Sequence, residues 1–527
     1  MKKRLIIPVY ILLIVFSSNM LTAVNSDSDT LKSSSLSTEK LLNLKTVWSE
    51  SSNAASLTFF DFDGHFGSVY FGFNNAQGDY RLFQAPDQSS QYGFYSNGYV
   101  KEGKWKFYGN FNYYNAQEKN IKWTGVIEPY NENPYTVGDS IGGNYWKEYF
   151  KMQGKGAFEL NRLVSLGFDI RYDAGVGTKR KDPRPTNIIT SFDVRPGVVF
   201  NLDKIKIGTN FRYQGGKEDI NFEKVTDNKF DIFYFKGLGT FSSETSTASG
   251  FNDSYTISNL YGGSLQFTFD TEFIRNYTSA NFDKKVTDIK RGASDPLQIA
   301  LVDNYITDIN SVFLFGSNDK KINRLGLNYV RQKIYGQEPV VEPKLLQVTY
   351  QWSTVAKYTL YWNEASNYNV NYSYYDFTDT DHINWGAKIN CTVSSDKTTY
   401  YFVPEYNKLS YNQFVVDGLL EKGFVWNKWE SLFSANGGYR MSFDNSLEIV
   451  TDEKLLENVR TDFINQDFNY YTSGLWQIGA SVKIGRQISI NHSPVQFFLD
   501  AGYKLMVSDL PGDLNWEILE LKLGMNF

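Results

Sequence analysis

Cys391 is the only cysteine in the 527-residue chain, so no intramolecular disulfide can staple it. Histidine is almost as scarce: His65, His382 and His492 stand far apart, and no His-x-x-Glu-His, paired cysteine, Walker loop or serine elbow occurs. His382 follows Asp381 and His492 precedes Ser493, but neither has a third partner nearby, and each reads as a bystander. No catalytic, cofactor or metal site is therefore expected. A basic footprint is missing too; the net charge of -5 argues against a nucleic-acid partner. Long apolar runs are also lacking. Apart from the opening residues, no stretch approaches the ~20 apolar residues that a membrane-spanning helix needs.

What the chain has in excess is aromatic surface. Its 37 Tyr, 40 Phe and 11 Trp make up 17% of the residues, alongside 41 Gly and only 13 Pro. That mixture suits many strands with aromatic girdles at two membrane interfaces. Lys2, Lys3 and Arg4 precede an apolar segment over residues 5–16, and Leu21-Thr22-Ala23 offers a small residue for cleavage, so residues 1–23 read as a signal peptide. The Ser- and Asp-rich stretch that follows reads as a flexible periplasmic lead.

Alternation carries the fold. Side chains along a strand point to opposite faces with a period of two. Val164, Leu166, Phe168, Ile170, Tyr172, Ala174 and Val176 share one face, while Ser165, Gly167, Asp169, Arg171, Asp173 and Gly175 share the other. Such a run exceeds the usual globular strand and matches a tilted membrane strand. Tyr368, Val370, Tyr372 and Tyr374 oppose Asn367, Asn369, Asn371 and Ser373, and Ile383, Trp385, Ala387, Ile389 and Cys391 oppose Asn384, Gly386, Lys388 and Asn390. Trp476, Ile478, Ala480, Val482 and Ile484 oppose Gln477, Gly479, Ser481 and Lys483. A closed sheet would also supply the stability that disulfides cannot, since it leaves no backbone edge unpaired. The expected fold is all-β: a transmembrane antiparallel up-and-down barrel over residues 58–527. Length allows roughly 14 to 16 strands with longer outer loops.

The chain ends on Leu519, Leu521, Leu523, Met525 and Phe527, alternating with polar or small residues. A terminal strand of this kind resembles those of the outer-membrane barrel superfamily, which implies a cell outer-membrane location, a lipid surround and handling by the barrel-assembly machinery. With both termini periplasmic, residues 507–513 should form an outer turn and residues 486–493 a periplasmic one. Residues 121–143, 240–254 and 444–467 are expected outer loops, the last with a short helix at residues 451–457.

Ahead of the barrel, residues 24–57 combine the polar lead with Leu44, Trp48 and Asn53. Asn53-Ala54-Ala55 is similar to the approach segment of the fatty-acid-transporter-like barrels, whose N-terminal segment sits in the lumen as a hatch. Gly78-Asp79-Tyr80-Arg81 with Gln84, then an aromatic hairpin over residues 104–115, resembles an uncharacterised family of Bacteroidetes outer-membrane barrels. That likeness implies a fold and a location but no activity.

Candidate lumen-facing charges are Asp169, Arg171, Asp173, Lys206, Arg212, Lys388, Asp500, Lys504, Glu520 and Lys522. Mixed signs can bridge between strands or line a water-filled pore of little ion selectivity. On this pattern a lysine at position 169, on the lumen side, should be tolerated better than an arginine at lipid-facing Phe168. Two functions fit: a passive porin-like channel or hatch-gated transporter for small solutes, or a non-conducting barrel whose outer loops bind a surface lipoprotein or larger transporter. Neither reading makes the chain an enzyme.

Overall fold

A computed structural model describes residues 35–246, 253–292, 296–316, 320–346, 349–378, 381–401, 404–450, 457–490 and 493–527. The expected signal peptide over residues 1–23, His492 and residues 451–456 of the expected loop helix lie outside these residues.

The alternating segments form the strands. In chain order they are β1 (His65–Gly78), β2 (Gln88–Glu102), β3 (Trp105–Ile121), β4 (Thr136–Asp139), β5 (Gly143–Glu159), β6 (Val164–Lys179) and β7 (Arg184–Leu202). Next come β8 (Ile205–Glu223), β9 (Phe230–Gly237), β10 (Thr240–Ser246), β11 (Ser254–Asp270), β12 (Ile274–Arg291), β13 (Leu297–Phe315) and β14 (Lys321–Leu346). The last are β15 (Thr349–Phe377), β16 (Ile383–Tyr401), β17 (Tyr406–Trp426), β18 (Trp429–Glu448), β19 (Leu475–Ile490), β20 (Ser493–Ser508) and β21 (Asn515–Asn526). Two helices flank and interrupt them, α1 (Thr38–Lys45) and α2 (Glu457–Thr472).

Eighteen strands form one sheet in which each pairs antiparallel with its chain neighbours, and β1 pairs with β21 to close the ring. The closure runs to the last residue: Phe527 N donates to Gly67 O at 3.0 Å and Gly67 N donates to Phe527 O at 2.8 Å. Strands β4, β9 and β10 make a separate three-stranded sheet within the long connections. Length alone predicts fewer barrel strands because it reserves more chain for loops. Instead the turns at 103–104, 203–204 and 427–428 are two residues long, each led by a residue in the left-handed region (Gly103 at φ 57°, Asp203 at 66°, Asn427 at 57°). β14 and β15, at 26 and 29 residues, also extend well beyond what a membrane requires.

The outer surface is apolar and faces lipid, with Phe71, Leu166, Phe168, Ile170, Trp476, Ile478 and Leu523 exposed. The alternation gives these faces correctly, with one departure. Ile383 belongs by pattern with Trp385 on the lipid side, yet it is buried on the inside. A β-bulge where Asp376 and Phe377 meet β16 slips the pairing by one residue and inverts the phase.

Candidate functional site

The N-terminal segment is built to occupy the inside of the ring. α1 buries Leu41 and Leu42, and Leu44 packs partly buried against the same cluster. A 3-10 turn over Val47–Glu50 then buries Val47 and Trp48. Trp48 meets Phe59 at 5.1 Å between ring centroids and Tyr277 of β12 at 5.0 Å. The remaining partners are inner-wall residues, among them Tyr99, Val312, Leu314, Ile322 and Tyr375. Each such side chain removed from water contributes roughly 1.5 to 3 kcal/mol.

Polar contacts set the position. Asn53 is fully buried, and its Nδ2 lies 3.0 Å from Val198 O, 3.0 Å from Thr209 O and 3.1 Å from Gln266 Oε1. Its Oδ1 accepts from Ala55 N at 3.0 Å and so starts the 3-10 turn Ala54–Phe59. The wall opposite has no side chains to spare. A Cβ on Gly167 would stand 2.0 Å from Ala55 N, and one on Gly197 2.1 Å from Asn53 Oδ1. Beside them Ser52 Oγ lies 3.2 Å from Asn210 Oδ1, Ser264 Oγ and Asn281 Oδ1.

Three charged wall residues complete the anchorage. Arg324 of β14 donates to Asn43 O and Thr46 O, both at 3.2 Å, placing a cation at the carbonyl end of α1, and to Glu50 Oε1 at 3.0 Å. Glu430 of β18 accepts from Leu36 N at 2.9 Å and Gln496 Nε2 at 2.7 Å, with His382 Nδ1 at 2.9 Å. Glu421 of β17 pairs with Lys40 and accepts from Tyr375 at 2.9 Å. Sequence gave no sign of these three. Each is a lone charge on a polar strand face, and only the incoming segment makes it an anchor.

The other end of the ring is covered by its connections. Tyr80 stacks on Tyr470 of α2 at 4.7 Å and bonds Tyr470 O at 2.7 Å and Ser473 Oγ at 2.9 Å. Arg440 of β18 reaches Tyr80 and Tyr470 O from below. Gln84 N donates to Tyr130 Oη at 2.7 Å, and Phe83 lies 4.9 Å from Phe463. Phe463 in turn meets Phe235 of the small sheet at 5.8 Å. Asp467 accepts from Phe83 N at 2.8 Å, and burial pushes its carboxyl up to about 7. Tyr80, Arg81 and Gln84, which carried the family likeness, thus lie at the centre of this outer cover.

Between the two closures the inner wall reaches solvent. On β15 the inner-face residues pass from buried Tyr375 and Ser373 to half-buried Asn371, Asn369 and Asn367, then to buried Tyr361. Most of the charges singled out by alternation bond to other residues of this face or of the segment. Asp169 holds Arg171 at 2.9 Å, Arg212 bridges Asp193 at 2.9 Å and Asp283 at 2.7 Å, and Lys522 holds Glu520 at 3.2 Å and Asp500 at 3.9 Å. Lys206 lies 5.3 Å over the Phe59 ring of the N-terminal segment. Asp173 pairs in register with Lys151, Lys388 with Ser373, and Lys504 with Gly479. Among the described residues no cluster of metal-ligating side chains occurs.

A closed antiparallel ring with an apolar outside and a polar inside is an outer-membrane β-barrel. The chain belongs to a family of unknown function, DUF6850, whose model matches residues 54–527. No curated protein matches it. Among solved structures it is similar to the RagAB peptide transporter, at 7% identity over 88% of this chain and 86% of that one, with a TM-score of 0.39. The copper transporter OprC gives 7% identity, 88% and 81% coverage and 0.39. The outer membrane transporter YddB from Escherichia coli gives 8%, 87% and 81%, and 0.39. At these identities and scores nothing about cargo follows.

Proposed function

We propose that the protein is a gated outer-membrane channel for small polar solutes, with residues 38–57 acting as a lumenal hatch. The observation that carries this reading is Asn53: a fully buried amide bonded to two wall-strand carbonyls, at a site where glycines leave room for it. A segment lying only along the rim would need no such fitted floor. Because it precedes β1 directly, its loop-closure cost is small and it can leave and return without disturbing the ring. The half-buried, polar inner band supports passage of a polar solute rather than a fatty acid.

Removing residues 38–52 tests the reading. The variant should stay folded and heat-modifiable, and its conductance in planar bilayers should exceed the parent's. A folded variant with unchanged conductance rejects the hatch. Closure at both ends favours a second reading, a non-conducting barrel that presents its outer loops to a surface lipoprotein or larger transporter. Electrical silence of parent and deletion alike would select it.

A further inference from the structure

The solvent-reaching band between the two closures has an uneven chemistry. On β15 and β16 it is a ladder of carboxamides. Asn371 Nδ2 donates to Asn369 Oδ1 at 3.3 Å, and Asn369 Nδ2 donates to Asn390 Oδ1 and Thr392 Oγ1, both at 2.7 Å. Gly326 lies opposite Asn371, and a Cβ there would stand 2.5 Å from its Nδ2, so the amide lies close against the β14 backbone. The amides therefore orient one another before any ligand arrives, which lowers the ordering cost of binding. Each carboxamide offers two donors and two lone pairs, and at Asn371 the ladder takes a single N–H.

Across the ring, Tyr70, Tyr95, Tyr114 and Tyr149 form a row over β1, β2, β3 and β5. Their rings stack in sequence at 4.9, 6.4 and 4.9 Å. Tyr149 is buried at the end of the row, and because the rings face each other, what half-buried Tyr70, Tyr95 and Tyr114 offer a ligand is chiefly edges and hydroxyls. Among the charges between these two walls, Arg171 is committed to Asp169 and Arg212 to Asp193 and Asp283, whereas Lys388, beside the ladder on β16, is exposed. An ionic ligand at those arginines would have to break those pairs. An acyl chain would leave the amides without partners, a cost that each unpaired polar group adds to. A hydroxyl both donates and accepts, as these amides and phenols do.

We infer that the band between hatch and outer cover binds a neutral polyhydroxylated ligand, an oligosaccharide, with Asn369 and Asn371 on one side and the tyrosine row on the other. This rests on the channel reading for its route but not for its chemistry. Planar-bilayer current through the variant lacking residues 38–52 is measured with maltohexaose, xylohexaose, hexaalanine and laurate added in turn. A hexasaccharide should block the current saturably, and Asn369→Ala and Asn371→Ala should each raise the half-blocking concentration by about ten-fold, one hydrogen-bonded contact's worth. A conducting channel blocked by neither sugar, or by hexaalanine or laurate alone, overturns the inference and leaves the channel reading standing. So does a sugar block that both substitutions leave unchanged. If the deletion variant does not conduct, the channel reading fails, and calorimetry of both sugars on the full chain decides instead. Saturable binding weakened by Asn369→Ala supports the site, and no binding overturns it.

Discussion

Arg324 Nη1 lies 3.2 Å from Thr46 O, so a β14 side chain terminates α1 from across the lumen. The same guanidinium reaches Asn43 O through Nη1 and Glu50 through Nη2, two nitrogens held apart in one rigid fork that an ammonium does not have. Arg324→Met should therefore release the end of α1 while leaving the ring intact, at a cost of roughly 1.5 to 3 kcal/mol for charge-assisted hydrogen bonds. Faster cleavage by added protease in the 38–52 segment, with heat-modifiability retained, is the expected result. Arg324→Lys should recover only part of the protection.

Gly167 gives a cleaner separation of hatch from wall. A side chain there meets Ala55 N at 2.0 Å, whereas one at Gly154 of β5 meets nothing within 4 Å. Gly167→Val should expel the Asn53-Ala54-Ala55 turn and reproduce the conductance of the 38–52 deletion. Gly154→Val, also a change within a strand, should conduct like the parent.

These contacts mark where sequence stops being informative. Period-two alternation reveals which face of each strand meets lipid, because a membrane penalises every exception on that face. It cannot show which polar inner-face residues meet one another, since water, a neighbouring strand or a folded-back segment satisfies them equally. Asn53 and Trp48 stood out through their place before the first strand, but Arg324, Glu430 and the glycine floor at 167 and 197 gain meaning only from what lies across the lumen. Ile383 shows the other limit. Nothing in the residues announces the bulge at Asp376 and Phe377 that reverses its face.

Neighbouring positions on β6 test the two faces directly. Phe168 is exposed to lipid, while Asp169 is fully buried, bonded to Gln153 at 2.9 Å and to Arg171. Phe168→Arg should destabilise the folded barrel by roughly 2 to 4 kcal/mol, the cost of an arginine on the lipid face near the bilayer midplane. The alternation pattern alone allows a lysine at 169, but the packing revises this. Lys155 stands opposite in register and Arg171 is in contact, so Asp169→Lys would gather cations with no carboxylate between them. We expect Asp169→Asn to fold well and Asp169→Lys to fold poorly, measured by urea unfolding in liposomes.

The outer cover should loosen as pH rises, and Asp467 supplies the reason. Its carboxyl is raised to about 7 by burial, against 3.8 for the free side chain. Phe83 N and Tyr130 are its hydrogen-bond partners, Tyr471 lies nearby, and Arg81 acts on the same Tyr130 phenol. A raised carboxyl means that the docked form of α2 holds its proton more tightly than the undocked form does. Below pH ~4 both forms are protonated and docking has its full strength. Between ~4 and ~7 the undocked form ionises first, so docking weakens steadily as pH rises, and above ~7 the loss levels off. Protease cleavage within residues 457–472 should thus be several-fold faster at pH 8 than at pH 5. Asp467→Asn, carrying no ionisable group, should be cut at nearly the same rate at both, once each rate is normalised to an unstructured peptide of the same sequence. Parent and variant showing the same pH dependence would assign the effect to another group.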